Sequence, residues 1–275
     1  MIKDIVLNLP SGTARDVASE FSISVAKLFE AHLSAVAFAY DPPAVAMGYD
    51  GVTPTLIDTW RAEYRAEAER AQAAFDERVR KEGIIADSRV LFDDVASCAR
   101  TFSEIARNYD LSIVGQAEPD DDIPETLMIE AALFESGRPV MIVPYIQKTG
   151  LTLDRVMICW DNSRNAARAV SDAMPFLKRA AHIDIVTIER KEQLEELRGA
   201  QIAEHLARHK LKVDVKAIVA PDSDAANVIL SQAADSGTDL IVMGGYGHTR
   251  FREFVLGGAT RGILEAMTVP VFMSH

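Results

Sequence analysis

DLSIVG at residues 110–115 and DLIVMG at residues 239–244 are two copies of one pattern, a short apolar run between an aspartate and a glycine. Such a run is typical of a buried strand in a parallel sheet that ends in a turn. A pattern that recurs along a chain indicates one structural unit repeated, so we looked for matches on both sides of each copy.

The segments before these runs match in kind and order. Short buried strands are predicted at residues 2–9 (IKDIVLNL) and 155–160 (RVMICW), and an amphipathic helix follows each of them. A second strand is predicted at residues 32–40 and again at residues 182–189. Strands that alternate with helices of this length predict right-handed crossovers and a parallel sheet covered on both faces.

Each copy closes with a proline-led strand, in GRPVMIVP from Gly137 and in TVPVFMS from Thr268. We therefore predict an α/β protein of two tandem, doubly wound, five-stranded parallel-sheet domains, at residues 1–145 and 151–275. In such sheets ligands bind beyond the carboxyl ends of the strands, where the strand order reverses.

The net charge, the apolar runs and the cysteines of the chain limit the kinds of partner that it can bind. The formal net charge is −12 over 275 residues, which disfavours nucleic acid and anionic membranes, since clustered Lys and Arg supply most of that affinity. No apolar run reaches about 18 residues, and we expect a cytoplasmic protein. Cys98 and Cys159 are the cysteines, with no CxxC, so neither a disulfide framework nor a metal site is predicted.

One loop concentrates glycine. Residues 244–260 read GGYGHTRFREFVLGGAT, in which the glycines fall as G-x2-G-x9-G-G. Glycine lets backbone turn and approach a ligand closely, and the helix that follows offers free N–H groups and a positive dipole end to an anion. The loop therefore predicts a site for a phosphate chain.

This pattern resembles the ATP-binding signature of the universal stress protein family, with Gly244, Gly247 and Gly257 at the glycine positions. The family has Ser or Thr at the next position, where this chain has Gly258. That departure removes one side-chain contact to phosphate and leaves backbone donors, with Thr260 as a substitute. The resemblance covers nearly the whole chain and implies a tandem universal stress protein of Rossmann-like fold, a regulator of stress responses.

The resemblance also implies the other contacts. Asp161 and Ile188, at the ends of the first and second strands of the second copy, would meet the adenine and ribose, and the Ala259 backbone would meet the ligand. The ligand would be one ATP, ADP or AMP per chain, with or without Mg²⁺. His248 and Arg250 add positive charge that suits phosphates.

Each of these residues also has a structural alternative. Loop glycines often serve only to form turns and bind no ligand. Ile188 could likewise be an ordinary strand residue. Asp161 could equally be the N-cap of the helix that begins near Ser163. Trp160 could stack on adenine, but a core role at the strand end is favoured.

The first copy lacks the features of the second. Pro10 stands where the second copy has Asp161, and Glu118 stands where it has Gly247. The acidic run at 120–122 would repel phosphates. The sequence therefore predicts a degenerate first domain that binds no nucleotide.

Rival functions remain. The alternative is an interaction scaffold that binds no nucleotide. Gly258 favours this alternative, because it lacks the hydroxyl that the family signature has at that position. No GxxxxGK[ST], GxGxxG, GxSxG or HExxH motif is present, and no general base or catalytic residue is evident, so at most a very slow ATPase is expected. The family resemblance suggests that the fifth strands, at 140–143 and 269–273, pair as an intrachain pseudo-dimer, and a homodimer of chains is also expected.

Overall fold

The computed structural model describes residues 1–11, 16–41, 53–117, 123–189, 199–220, 224–245 and 258–275. They divide into two compact units, Met1–Gly150 and Leu151–His275. Strands alternate with helices in both units, and the strand pairs within each unit are parallel. The predicted fold class is confirmed.

The first unit carries five strands and four helices within its described residues. In chain order these are β1 (Asp4–Leu9), α1 (Val17–Phe29), β2 (His32–Tyr40), α2 (Pro54–Glu82), β3 (Ala86–Asp93), α3 (Val95–Ala106), β4 (Leu111–Gly115), α4 (Ile123–Glu135) and β5 (Val140–Val143). The strands lie in the order β3-β2-β1-β4-β5, so the order reverses between β1 and β4.

The second unit repeats this plan. Its elements are β6 (Arg155–Cys159), α5 (Arg164–Leu177), β7 (His182–Glu189), α6 (Ala200–Arg208), β8 (Val213–Val219), α7 (Ala225–Ser236), β9 (Leu240–Gly244), α8 (Gly258–Ala266) and β10 (Val271–Ser274). Its strand order is β10-β9-β6-β7-β8. The reversal therefore lies between β6 and β9.

The aspartate of the repeated pattern joins neighbouring strands. Asp110 accepts hydrogen bonds through Oδ2 from the backbone N–H of Lys3 at 2.7 Å and of Asp4 at 3.2 Å. Asp239 accepts one in the same way from the N–H of Arg155 at 2.8 Å. Each carboxylate thus satisfies the backbone at the start of the first strand of its unit, which explains why the pattern begins with Asp.

Helices pack on the sheets through aromatic contacts. In the first unit the rings of Phe38 (β2) and Phe102 (α3) meet edge to face, 6.3 Å apart. In the second, the rings of Phe176 (α5) and Phe272 (β10) lie 5.5 Å apart. These side chains are fully buried, and burying each contributes about 1.5–3 kcal/mol. No helix among the described residues is both long and apolar enough to span a membrane.

Candidate functional site

The predicted residues meet at the carboxyl edge of the second sheet. Cys159 on β6 lies level with Met243 on β9 and with Val186 on β7. Two residues further along each strand stand Asp161, Gly245 and Ile188. The register therefore brings these three residues to one edge, at the point where the strand order reverses.

Gly244 is required by packing. A Cβ at this position would lie 2.5 Å from the Ala166 backbone N and 2.6 Å from the Asn165 carbonyl C, both in the first turn of α5. At the equivalent Gly115 a Cβ would meet only the Ala18 Cβ, at an ordinary 3.9 Å. The glycine at 244 is thus explained by the close approach of helix and strand, whether or not a ligand binds.

Gly258, unlike Gly244, is not required by packing against the described residues. It begins α8, it is exposed, and a Cβ there would have no atom of the described residues within 4 Å. Ala259 follows, and Thr260 is buried. A Cβ at Gly262 would lie 2.8 Å from the Ala226 Cβ, so α8 packs against the first turn of α7. Both helices therefore start at the same edge of the sheet.

Asp161 is exposed and its carboxylate Oδ1 accepts a hydrogen bond from the Ser163 N–H at 2.9 Å. The alternative that Asp161 is the helix N-cap is wrong. Ser163 is the N-cap, because its hydroxyl accepts from the Ala166 N–H at 3.1 Å. Burial, and then the charge of Asp161, raise the pKa of the neighbouring Cys159 thiol to about 12. That thiol therefore stays protonated at neutral pH.

Trp160 contributes to the core, as favoured above. The side chain is 9% exposed, and its backbone N–H donates to the Val186 carbonyl at 2.9 Å. Its indole Nε1 is buried without a partner among the described residues. The predictions for Gly247, Gly257, His248 and Arg250 lie outside the described part of the chain.

The sequence reasoning missed Asn165 and His275. The buried Asn165 amide donates to the Gly245 carbonyl oxygen, and His275 Nδ1 lies 3.1 Å from the same oxygen. Alignment of the two copies could have identified Asn165, because the first copy has Ala18 at this position of its first helix.

The corresponding edge of the first unit is occupied by its own side chains. Gln116, the counterpart of Gly245, is buried, and its Oε1 accepts from the Tyr145 N–H at 3.3 Å. The N-terminus of α1 already holds a carboxylate, since Asp16 accepts from the Ser19 N–H at 3.0 Å and from Arg78 Nη1 at 3.2 Å. An incoming anion would have to compete with Asp16 for this helix end.

A buried charge cluster lies within the second sheet, before its carboxyl edge. Asp184 on β7 is 1% exposed, and its Oδ2 accepts from Arg155 Nη1 and Lys216 Nζ, both at 2.9 Å. Burial raises the pKa of this carboxyl, but the hydrogen bonds and charges of Lys216 and Arg155 outweigh burial and hold the pKa below its ordinary value. No group of three or more potential metal ligands occurs among the described residues.

Comparisons with known proteins agree with this architecture. Residues 152–275 match the family model described as the Universal stress protein family. A universal stress protein of Synechocystis sp. is 26% identical over 137 residues, which are 49% of this chain and 46% of that relative. The matched segment is thus less than half of the relative's length.

Solved structures show the same fold over the whole chain. A universal stress protein from Archaeoglobus fulgidus superposes with a TM-score of 0.72 at 19% identity, covering 98% of this chain and 97% of that one. A candidate universal stress protein from Pseudomonas aeruginosa gives 0.66 at 13% identity, covering 99% and 93%. The class is therefore the doubly wound, Rossmann-like α/β proteins. The second unit, over residues 152–275, matches the universal stress protein family.

Proposed function

We propose that the protein is a stress-response regulator that binds one adenine nucleotide, ATP, ADP or AMP, in its second unit. One observation carries the proposal. At the reversal of strand order, α8 begins with an exposed glycine at which a Cβ would meet no atom of the described residues, so the backbone N–H groups there carry no side chain that would separate them from a phosphate. Helix N-termini bind anions through these groups and through the helix dipole.

The neighbouring residues suit the remainder of a nucleotide. Asp161 is exposed at the end of β6, and its carboxylate can accept hydrogen bonds from ribose hydroxyls or an adenine amino group. Ile188 is half-buried at the same level of β7 and offers apolar contact to a base. Ala259 extends the side-chain-poor edge of α8, and Thr260 follows it.

The contrast between the units supports one site per chain. In the first unit Gln116 fills the position of Gly245, and the carboxylate of Asp16 caps α1, whose counterpart α5 in the second unit is capped by the neutral Ser163. A carboxylate at a helix N-terminus satisfies the donors that a phosphate would need and repels its charge. We therefore expect binding in the second unit alone.

A scaffold that binds no nucleotide is the second candidate, and two observations favour it. The glycine at 244 is explained by the packing of α5, so it requires no ligand. Gly258 supplies no hydroxyl where the family signature has one. Mass spectrometry of ligand released from the purified, denatured protein separates the two candidates, because the nucleotide proposal expects a bound adenine nucleotide.

A matched pair of variants at Gly258 tests the phosphate contact. A Cβ at this position meets no atom of the described part of the chain, so serine and alanine, which differ by one hydroxyl, make a matched pair. If phosphate lies at the start of α8, Gly258→Ser should tighten ATP binding by about tenfold, since a hydrogen bond to a charged group contributes roughly 1.5–3 kcal/mol. Gly258→Ala should give no such gain. Equal affinities of the two variants in titration calorimetry would contradict the proposed contact.

A further inference from the structure

Gly245, the first residue after β9, has both of its backbone polar groups held. Its N–H donates to the Ser274 carbonyl on β10 at 2.8 Å. Its carbonyl accepts from the side-chain amide of Asn165 in the first turn of α5. The two peptide groups that flank Gly245, at the end of β9, are therefore each held by a different element.

His275 completes this arrangement. Its Nδ1 lies 3.1 Å from the Gly245 carbonyl oxygen and 3.1 Å from Asn165 Nδ2. With a proton on Nδ1 the ring donates to the carbonyl, and without one it accepts from the Asn165 amide. In both states the ring supports the same pair, and we name Asn165, Gly245 and His275 the Gly245 clamp.

The first unit shows the same strand geometry without the clamp. The N–H of Gln116 donates to the Val143 carbonyl at 2.7 Å, as Gly245 does to Ser274. The positions of Asn165 and His275 are occupied there by Ala18 and Pro144, which have no side-chain donor. The clamp therefore accompanies the glycine loop and is no general requirement of the fold.

We propose that Asn165 and His275 are positioning residues that fix the direction in which the glycine loop leaves β9. The inference rests on the proposed nucleotide site, because its functional consequence is nucleotide affinity. Asn165 is 4% exposed, so its amide acts from the interior through the Gly245 carbonyl. A strand end that is held before binding loses less conformational entropy when a phosphate binds beyond it.

Two variants of the full chain test the clamp. Asn165→Ala reproduces the first copy, and we expect it to weaken ATP binding about tenfold, because the Gly245 carbonyl loses a buried donor. His275→Ala should weaken binding less. The double variant should lose less than the product of the two single losses, since both side chains act on one carbonyl. Ser236→Ala is the control, because it removes a hydrogen bond to the Gln232 carbonyl on α7 of the same unit, away from this edge.

A second measurement needs no nucleotide. Amide hydrogen exchange at Gly245 reports how firmly the end of β9 is held, and Asn165→Ala should accelerate it about tenfold relative to amides elsewhere in the second unit, whereas Ser236→Ala should not. Faster exchange in a protein whose wild type binds no ATP would support the clamp and remove the nucleotide proposal. Unchanged exchange, or unchanged ATP affinity in Asn165→Ala when the wild type binds, would overturn the clamp.

Discussion

Replacing Gly244 with alanine tests the close approach of β9 to α5. The new Cβ would lie 2.5 Å from the Ala166 backbone N and 2.6 Å from the Asn165 carbonyl C. Because both atoms are backbone in the first turn of a helix, the clash can be relieved only if the helix or the strand shifts. Overpacking of this kind costs about 1–3 kcal/mol, which lowers the melting temperature of a domain of this size by roughly 4–12 °C.

The chain offers both a control and a reporter. Gly115→Ala makes the same change at the equivalent strand end, where the new Cβ would meet only the Ala18 Cβ at 3.9 Å, and it should stay within about 0.5 kcal/mol of wild type. Each unit contains one tryptophan, so in a Trp60→Phe background the fluorescence of Trp160 follows unfolding of the second unit. If Gly244→Ala melted like wild type in nucleotide-free protein, the packing explanation would be wrong.

Three further outcomes are expected. Asp184→Asn takes the counter-charge from Lys216 and Arg155, whose side chains are partly exposed, and should cost about 1–2 kcal/mol in urea unfolding at pH 7. Because the Asp184 pKa is lowered from 3.8 in the folded state, this contribution is lost as the pH falls from 3.8 through the lowered value, and the deficit should shrink below pH 3.8. The pKa values of the Cys98 and Cys159 thiols are raised to about 12, by burial first, so mass spectrometry should find neither alkylated by iodoacetamide at pH 8 until the protein is denatured. Steady-state ATP turnover should stay well below about 1 per second, since no general base is evident beside the loop; a rate above that would disprove this expectation.

The repeat made the fold predictable from sequence. The runs DLSIVG and DLIVMG form buried central strands, and a short apolar run between turn residues marks such a strand in the sequence. The family resemblance named Asp161 and Ile188, and their place at the carboxyl edge follows because both stand at the ends of parallel strands. These features depend on neighbours along the chain or on a general rule of parallel sheets.

Features that depend on distant neighbours were not predictable. Gly244 is required because the first turn of α5, about 80 residues earlier in the chain, packs against it. The same turn carries Asn165, whose amide donates to the Gly245 carbonyl. The sequence offered Asp161 as the N-cap, and only the geometry of the strand end shows that Ser163 caps the helix. The Asp184 cluster joins three strands, and no local pattern marks it.

Titration calorimetry of the full chain with ATP tests the central proposal most directly. The contrast between the units predicts one nucleotide per chain, and Gly247→Glu, which imitates Glu118 of the first copy and adds a like charge beside the phosphates, should abolish binding. Gly247→Glu should keep the wild-type circular dichroism but lose the thermal stabilisation by ATP, which is about 2.7 kcal/mol at 100 times the dissociation constant. One site that disappears in Gly247→Glu is the predicted result. Two equivalent sites, unchanged binding in the variant, or no binding to wild type would contradict it.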